Sequence, residues 1–436
     1  MSDPKPDMRQ RRLQQPWTGM SLPGLAQGSA TLRPDAPAIV EPDNTGELTG
    51  RAARLITCKT LTAEVDLLAQ KLRALGLMPG DVVLLCLPNT SEAILSLLAV
   101  QKAGAIPAPV GVFEDAAALA EAAALVDAAA ILTIGRFSSL SPAQMCRDAA
   151  VACLSVRFVA AFGSSVPEGV AALDSWDTVE FLNAAPFPRI DGPDDALISF
   201  DRQTGTLRAL VRTHEQLVAE AAGAAALVRV GTGNRLLTTI PPASIAGVVY
   251  GVALPLLSGA WIELNVLFDS AAFAAQLGSG DKTTVILPGV ASDAYLRFRG
   301  TRAIRSENLV LIHRPVPGQP MPDAPLPDKA LRIIDVLCLG ETTALPRLRL
   351  AGADLASLPQ RPVFPASRVV RQDLPAIALG VDETGHMMLA GALVPRNPAA
   401  AGDAPLATGF DATLDEAPRM LHLSPGAAEP SASAAA

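Results

Sequence analysis

Apolar positions along the chain fall into short segments with two alternating kinds of pattern. "TLTAEVDLLAQKLRALGL" sets Leu61, Val65, Leu68, Leu72 and Leu75 on or near one face at helical spacing, behind a threonine start, and predicts an amphipathic helix. "MPGD" breaks it, and "VVLLCL" (residues 82–87) is an apolar run of buried-strand length. "PNTSEAILSLLAVQKAGA" opens a second helix, with Asn89, Thr90 or Ser91 as cap and Glu92 in the first turn. "IPAPV" then predicts a strand, residues 115–129 an Ala-rich helix, "ILTIG" a strand, and residues 156–163 another. Strands alternating with helices in this way predict an α/β fold with a mainly parallel sheet and helices on its faces.

One uncharged run, residues 236–262, is long enough to span a bilayer. Pro241, Pro242 and Pro255 interrupt it, and Glu263 follows at once. No second span and no orienting basic flank accompany it, so the run reads as a buried strand–turn–helix–turn–strand, with no membrane span. Residues 1–25 form a Pro- and Gln-rich flexible lead-in, a Pro-rich connector covers residues 176–195, and residues 424–436 are a low-complexity disordered tail.

Composition narrows the function classes. Half of the 436 residues are hydrophobic but only 4% are aromatic, so the core is built mostly from Ala, Leu and Val. Charged residues make up 18%, below the roughly 25% of an average soluble protein. A net charge of −8 without a basic stripe argues against nucleic acid as a partner. Cys58, Cys86, Cys146, Cys153 and Cys338 show no metal-binding spacing, which fits reduced, buried thiols and a cytoplasmic setting. His214, His313, His386 and His422 are scattered, so a zinc site is not expected. The N-terminus lacks the apolar stretch of a secretory signal, and no Gly-x-Ser-x-Gly elbow supports a hydrolase.

The order of several segments resembles the adenylate-forming (AMP-binding) superfamily of acyl-CoA synthetases and peptide-synthetase adenylation domains. "RPDAPAIVEP" and the stretch from "TLTAEVDLL" to "AGAIPAPV" look like that family's opening, followed by "TTIPPASIAGVVYGVALPLLSGAWIEL", "TTVILPGVASDAYL", "DVLCLGETTAL" and "GHMMLAGALVPR". The likeness covers roughly residues 36–423, the family's large N-terminal domain. It implies two packed α/β subdomains with mainly parallel sheets plus a small distorted β-barrel. The expected parts are residues 26–190, 191–345 and 346–423 within one large domain of residues 26–423. It also implies an ancestral reaction in which a carboxylate, here aliphatic acyl, attacks ATP with Mg2+ to give an acyl-adenylate. A thiol of coenzyme A or carrier-protein pantetheine then takes the acyl group. The family's lid domain is expected to be absent, since the sequence ends in "SPGAAEPSASAAA". A separate lid polypeptide or an acyl carrier protein is then a candidate partner.

The motif positions depart from the family pattern. Against the family's Ser-Gly-Thr-Thr-Gly-x-Pro-Lys-Gly phosphate loop, Thr204 and Gly205 match and Arg208 stands at the lysine. Asp201 replaces the serine and Arg202 a glycine. Arg202 and Arg208 could grip an anion together, or the loop is a solvated turn. At the acyl pocket Ala243, Ser244 and Gly247 are small residues that either widen the pocket or pack a helix. In the Tyr-Gly-x-Thr-Glu motif Gly340 and Thr342 match, Leu339 replaces the tyrosine and Thr343 the cation-holding glutamate. Glu341, two residues early, is the metal candidate, on the same face as Thr343 if the segment is a strand. In the family's Thr-Gly-Asp, Thr408 and Gly409 match, Phe410 takes the ribose-binding Asp position, and Asp411 follows. No residue is assigned as catalytic. Two readings follow: a divergent acid–thiol ligase, or a pseudoenzyme that binds an acyl ligand, carrier protein or enzyme partner.

Overall fold

A computed structural model describes residues 19–175, 186–202, 206–278, 283–301, 306–316, 331–350, 354–359, 376–399, 405–414 and 420–424. Most of the lead-in, Thr204, Gly205 and the tail beyond Ser424 lie outside these residues. The chain opens with α1 (Leu22–Leu32), β1 (Pro37–Val40), α2 (Thr45–Thr49) and β2 (Leu55–Thr57). It continues through α3 (Cys58–Ala74), β3 (Val82–Cys86), α4 (Ser91–Lys102), β4 (Ile106–Val110), α5 (Ala116–Leu125) and β5 (Ala130–Ile134). Then come α6 (Pro142–Val151), β6 (Phe158–Phe162), β7 (Ala171–Ala172) and a hairpin of β8 (Asp195–Asp201) and β9 (Arg208–Thr213). The predicted strand–helix alternation is present; α3 begins three residues early because Thr57, not Thr60, accepts the capping bond, from Thr60 N.

After the hairpin the order is α7 (His214–Val228), β10 (Arg235–Thr238), α8 (Ile245–Val248), α9 (Leu254–Ser258) and β11 (Trp261–Leu264). It runs on through α10 (Ser270–Leu277), β12 (Thr283–Pro288), α11 (Ser292–Thr301), β13 (Ser306–His313), β14 (Arg332–Leu339) and β15 (Thr343–Leu348). The last strands are β16 (Ser357–Pro359), β17 (Ala378–Val381), β18 (His386–Ala390), β19 (Leu406–Leu414) and β20 (Met420–Ser424). Among the described residues the strands form a parallel sheet β4-β3-β5-β6-β7 and an eight-stranded sheet β15-β14-β13-β12-β10-β11-β1-β2. The latter is parallel except at its two ends. An antiparallel sheet β16-β20-β19-β18-β17 makes the β-rich part. This is the α/β architecture the resemblance implies. One pairing crosses the sequence order: β1 and β2, from the start of the chain, join the second parallel sheet, with Ile39 beside Ile262.

The uncharged run of residues 236–262 is β10, a turn, a buried helix and β11, as its prolines indicate. Among the described residues no helix is long and apolar enough to cross a membrane. The helix widens to a π-turn over Val249–Ala253, just ahead of Pro255, whose ring nitrogen has no N–H to donate. It starts hard against the preceding turn: a Cβ on Gly247 would lie 1.9 Å from the Pro241 carbonyl oxygen. All five cysteines are buried and unbonded to one another.

His214 opens α7 behind a capping box in which Thr213 and Gln216 exchange bonds with each other's backbone. Burial leaves its ring 1% exposed and depresses its pKa from 6.5 to about 4.

Two outcomes are expected. Gly247→Ala forces the helix start away from Pro241 and should lower stability by about 1–3 kcal/mol in urea unfolding. His214 is neutral in the fold and protonates more readily in the unfolded chain. Its contribution is therefore complete above pH 6.5 and lost as pH falls from 6.5 through about 4. The loss is on the order of 3 kcal/mol across that window, and His214→Gln should flatten the pH dependence of the melting temperature there.

Candidate functional site

The loop end of the β8–β9 hairpin is closed by its own charges. Asp201 and Arg208 are partners in register, and Arg208 Nε and Nη2 donate to Asp201 Oδ2 at 2.9 and 2.6 Å. Asp201 is 3% exposed, so the pair is largely out of water. Arg202 turns the other way, to an ion pair with Glu121 of α5 in which both side chains are half exposed. The structure therefore does not bring Arg202 and Arg208 onto one anion; each has a carboxylate of its own.

Alternation along β9 sends Leu210 and Arg212 to one face, and that face meets the turn after β14. Arg212 has no exposed surface. Its Nη2 donates to the carbonyls of Glu341 at 2.8 Å and Thr342 at 2.9 Å, and its Nη1 to Ser199 Oγ at 3.1 Å. Its Nε reaches Glu220 of α7 at 3.4 Å. Burial raises the Glu220 carboxyl pKa, with Arg212 pulling the other way.

Gly340 ends β14 with φ +58°, and the Thr342 hydroxyl donates to the Leu339 carbonyl, closing a tight turn. Glu341 consequently sits in a turn, not on a strand beside Thr343 as expected from strand spacing. Its Oε2 accepts from Ile245 N at 2.6 Å, at the start of α8, and its Oε1 from Arg314 Nη2 at 2.8 Å. Burial is the largest single influence and works against the Arg314 charge, but Glu341 together with smaller contributions, Asp201 among them, leaves the guanidinium pKa raised. Cys338, just below, is pushed up to about 12 by burial.

This arrangement can be tested against a divalent cation, which needs oxygen donors free to bind it. Both Glu341 oxygens are engaged, and among the described residues no group of three His, Cys, Asp or Glu side chains stands together. The donor set does not fit Mg2+ while Glu341 holds Arg314 and the helix start.

The small residues serve the helix start. Ser244 Oγ accepts from Gly247 N at 3.2 Å, Gly247 abuts Pro241, and Ala243 is half-buried beside them. Asp411 lies elsewhere, on β19, where it faces His386 of β18 at 2.7 Å in solvent. Phe410, at the family's Asp position, is 3% exposed in the apolar cluster of the antiparallel sheet. Thr408 donates to the Met387 carbonyl at 3.0 Å. The hairpin base of the loop, the 340–342 turn, Arg314 and the start of α8 thus form one site. Arg212, Glu220 and Arg314 hold it and were not singled out from sequence. The available signal was an arginine following the apolar run Ala209–Val211 of the strand, with a glutamate eight residues on in the next helix.

Comparison with known proteins identifies the family. The family model described as AMP-binding enzyme matches residues 27–277. Salicyl-AMP ligase / salicyl-S-ArCP synthetase of Mycobacterium tuberculosis is 28% identical over 284 residues, 63% of this chain and 48% of that protein. Sulfoacetate–CoA ligase of Cupriavidus necator is 26% identical over 254 residues, 58% of this chain and 46% of that protein. The chain therefore spans about half the length of these curated relatives. The Klebsiella oxytoca NpsA N-terminal subdomain, solved with anthranilyl-AMSN, superposes with a TM-score of 0.61 at 17% identity, covering 93% of this chain and all of that one. The N-terminal domain of FACL13 from Mycobacterium tuberculosis gives 0.63 at 18% identity, again with 93% and 100% covered. With more than half its length matched by the family model, and its fold shared with adenylate-forming N-terminal domains, this chain belongs to the AMP-binding enzyme family.

Proposed function

We propose that this chain is a non-adenylating member of the AMP-binding enzyme family, which uses the fold to bind an acyl ligand, carrier protein or enzyme partner in the cytoplasm. One observation carries the reading: Arg208, the cation at the family's lysine position, is closed onto the buried Asp201 carboxylate. Drawing Arg208 onto a phosphate takes it from a carboxylate that is 3% exposed and sets a second negative charge beside that carboxylate. Breaking a buried pair costs up to about 3–5 kcal/mol, or roughly two to four decades of affinity. Glu341, the metal candidate two residues before the family's cation-holding position, is likewise held by a cation, Arg314.

A second reading is supported by the family itself. The relatives are ligases acting through AMP or CoA, and in that reading ATP and Mg2+ would activate a carboxylate for a thiol of coenzyme A or pantetheine. Phosphate would then displace Asp201 from Arg208, and a separate lid polypeptide or acyl carrier protein would assist.

Calorimetric titration with Mg-ATP and AMP, followed by pyrophosphate exchange over a panel of carboxylates, separates the two. The expected result is no heat up to millimolar nucleotide and background exchange. Micromolar binding or carboxylate-dependent exchange by the unmodified chain would overturn the proposal. Asp201→Ser frees Arg208 and should raise nucleotide affinity about ten-fold or more without restoring exchange. Phe410→Asp, which restores the family's ribose-binding residue type, should gain no nucleotide affinity. It should lower unfolding free energy by about 3 kcal/mol or more, because the carboxylate replaces a packed ring in an apolar cluster.

A further inference from the structure

Cys86 is the last residue of β3, and its register partner on the neighbouring strand is Thr133 of β5. Partners in register send their side chains to the same face of a sheet, and α6, which carries Cys146, packs on β5 and β6. There the Cys146 side chain is in hydrogen-bonding contact with Cys86 and with the Thr133 hydroxyl. Thr133 Oγ1 in turn donates to the Cys86 carbonyl at 3.0 Å, so two strands and a helix meet at these three residues. Neither thiol has exposed surface.

The other three cysteines stand apart from this contact. Cys153 Sγ donates to the Ala120 carbonyl at 3.2 Å, Cys58 opens α3 beside Arg33, and Cys338 lies on β14 of the other parallel sheet.

The two thiols of the pair are not equivalent. Cys86 draws the Cys146 thiol below its ordinary pKa, whereas the same contact, together with burial, pushes the Cys86 thiol up. A thiolate therefore forms more readily at Cys146, with Cys86 beside it as the resolving thiol. The Gly111 carbonyl, 3.8 Å from Cys86 Sγ, is a further acceptor for the Cys86 proton.

We infer that Cys86 and Cys146 are a redox-sensitive pair, reduced in this structure, which a peroxide closes into a disulfide joining β3 to α6 across β5. The Cys146 thiolate attacks one peroxide oxygen, the O–O bond breaks, and the departing hydroxide takes up the proton the thiol gave and leaves as water. The Cys86 sulfur then attacks the sulfenic sulfur of Cys146. The S–S bond forms, the S–O bond breaks, and the Cys86 proton leaves with the hydroxide as a second water. Two electrons pass from the two sulfurs to the peroxide. Burial sets the pace, since peroxide meets the sulfurs only when α6 opens locally. The bridge encloses about 60 residues and restricts the unfolded chain more than the folded one. It also anchors the strand that runs on to Asn89, whose amide donates to the Thr238 and Asn265 carbonyls of the second sheet at 3.2 and 3.0 Å. The pair does not depend on whether the chain adenylates.

The test exposes the folded chain to hydrogen peroxide at pH 7, alkylates it with iodoacetamide in denaturant, and maps the peptides by mass spectrometry. A linked Cys86–Cys146 peptide is expected, with Cys58, Cys153 and Cys338 alkylated. The melting temperature should rise by about 3 °C or more and return on treatment with dithiothreitol. Cys146→Ala should show neither the bridge nor the rise, and Cys153→Ala should close as the unmodified chain does. Five alkylated thiols after peroxide, sulfinic acid at Cys146 without a bridge, a bridge to another cysteine, or an oxidised protein that melts lower would each overturn the assignment.

Discussion

The buried guanidinium of Arg212 is the constraint around which the candidate site is organised. A side chain with five N–H donors and no exposed surface has to find acceptors inside the protein or forfeit the free energy of its hydration. Arg212 finds them on three elements at once: Ser199 on β8, Glu220 on α7, and two consecutive carbonyls of the turn after β14. Hairpin, helix and turn are thereby held in one geometry. Because the bonds to the turn go to backbone oxygens, they leave the Glu341 side chain free to reach forward to Ile245 N and Arg314. A strand arginine thus sets where a carboxylate two elements away is presented.

The polar inventory at the site is close to that of an anion cradle, yet its charges satisfy one another. A cation at the hairpin loop, a cation after β13 and a helix start are the parts that would hold phosphate. Here a carboxylate from the same chain occupies each: Asp201 on Arg208, and Glu341 on both Arg314 and the first N–H of α8. Internal carboxylates hold these positions without the translational cost that a free ligand meets. The closed state is favoured before any nucleotide arrives.

Much of the fold was legible because it is written in local periods. The helical stripe from Leu61 to Leu75, the apolar runs of β3 to β6, and the proline-interrupted segment of residues 236–262 each became the predicted element. The pairing of β1 with β11 was not legible, since it joins Ile39 to Ile262 and no local pattern carries a contact of that separation. The site was less legible still. Arg212 and the 341–342 carbonyls are 129 and 130 positions apart, and ion-pair partners at such distances leave no spacing signature. Gly340 was the local clue to the turn: its positive φ ends β14 and removes Glu341 from strand alternation. Phe410 and Asp411 follow the strand rule, in that the residue facing the antiparallel core is apolar and the next one faces water.

The substitutions at Asp201 and Arg208 are best understood as one change rather than two. Either charge alone at that register position would be largely buried without the partner that faces it across the hairpin, which is a costly event for a fold to absorb. Together they close the first rung of the β8–β9 ladder with two hydrogen bonds of 2.9 and 2.6 Å. A hydroxyl paired with a lysine, the residue types the resemblance assigns to these positions, would leave the cation free to reach outward to a ligand. A carboxylate paired with an arginine turns it inward, since a two-bond guanidinium–carboxylate contact is stronger and more directional than any single bond from a lysine. Reading both positions together therefore separates a phosphate-binding hairpin from a self-closed one, whereas reading Arg208 alone as a lysine substitute does not.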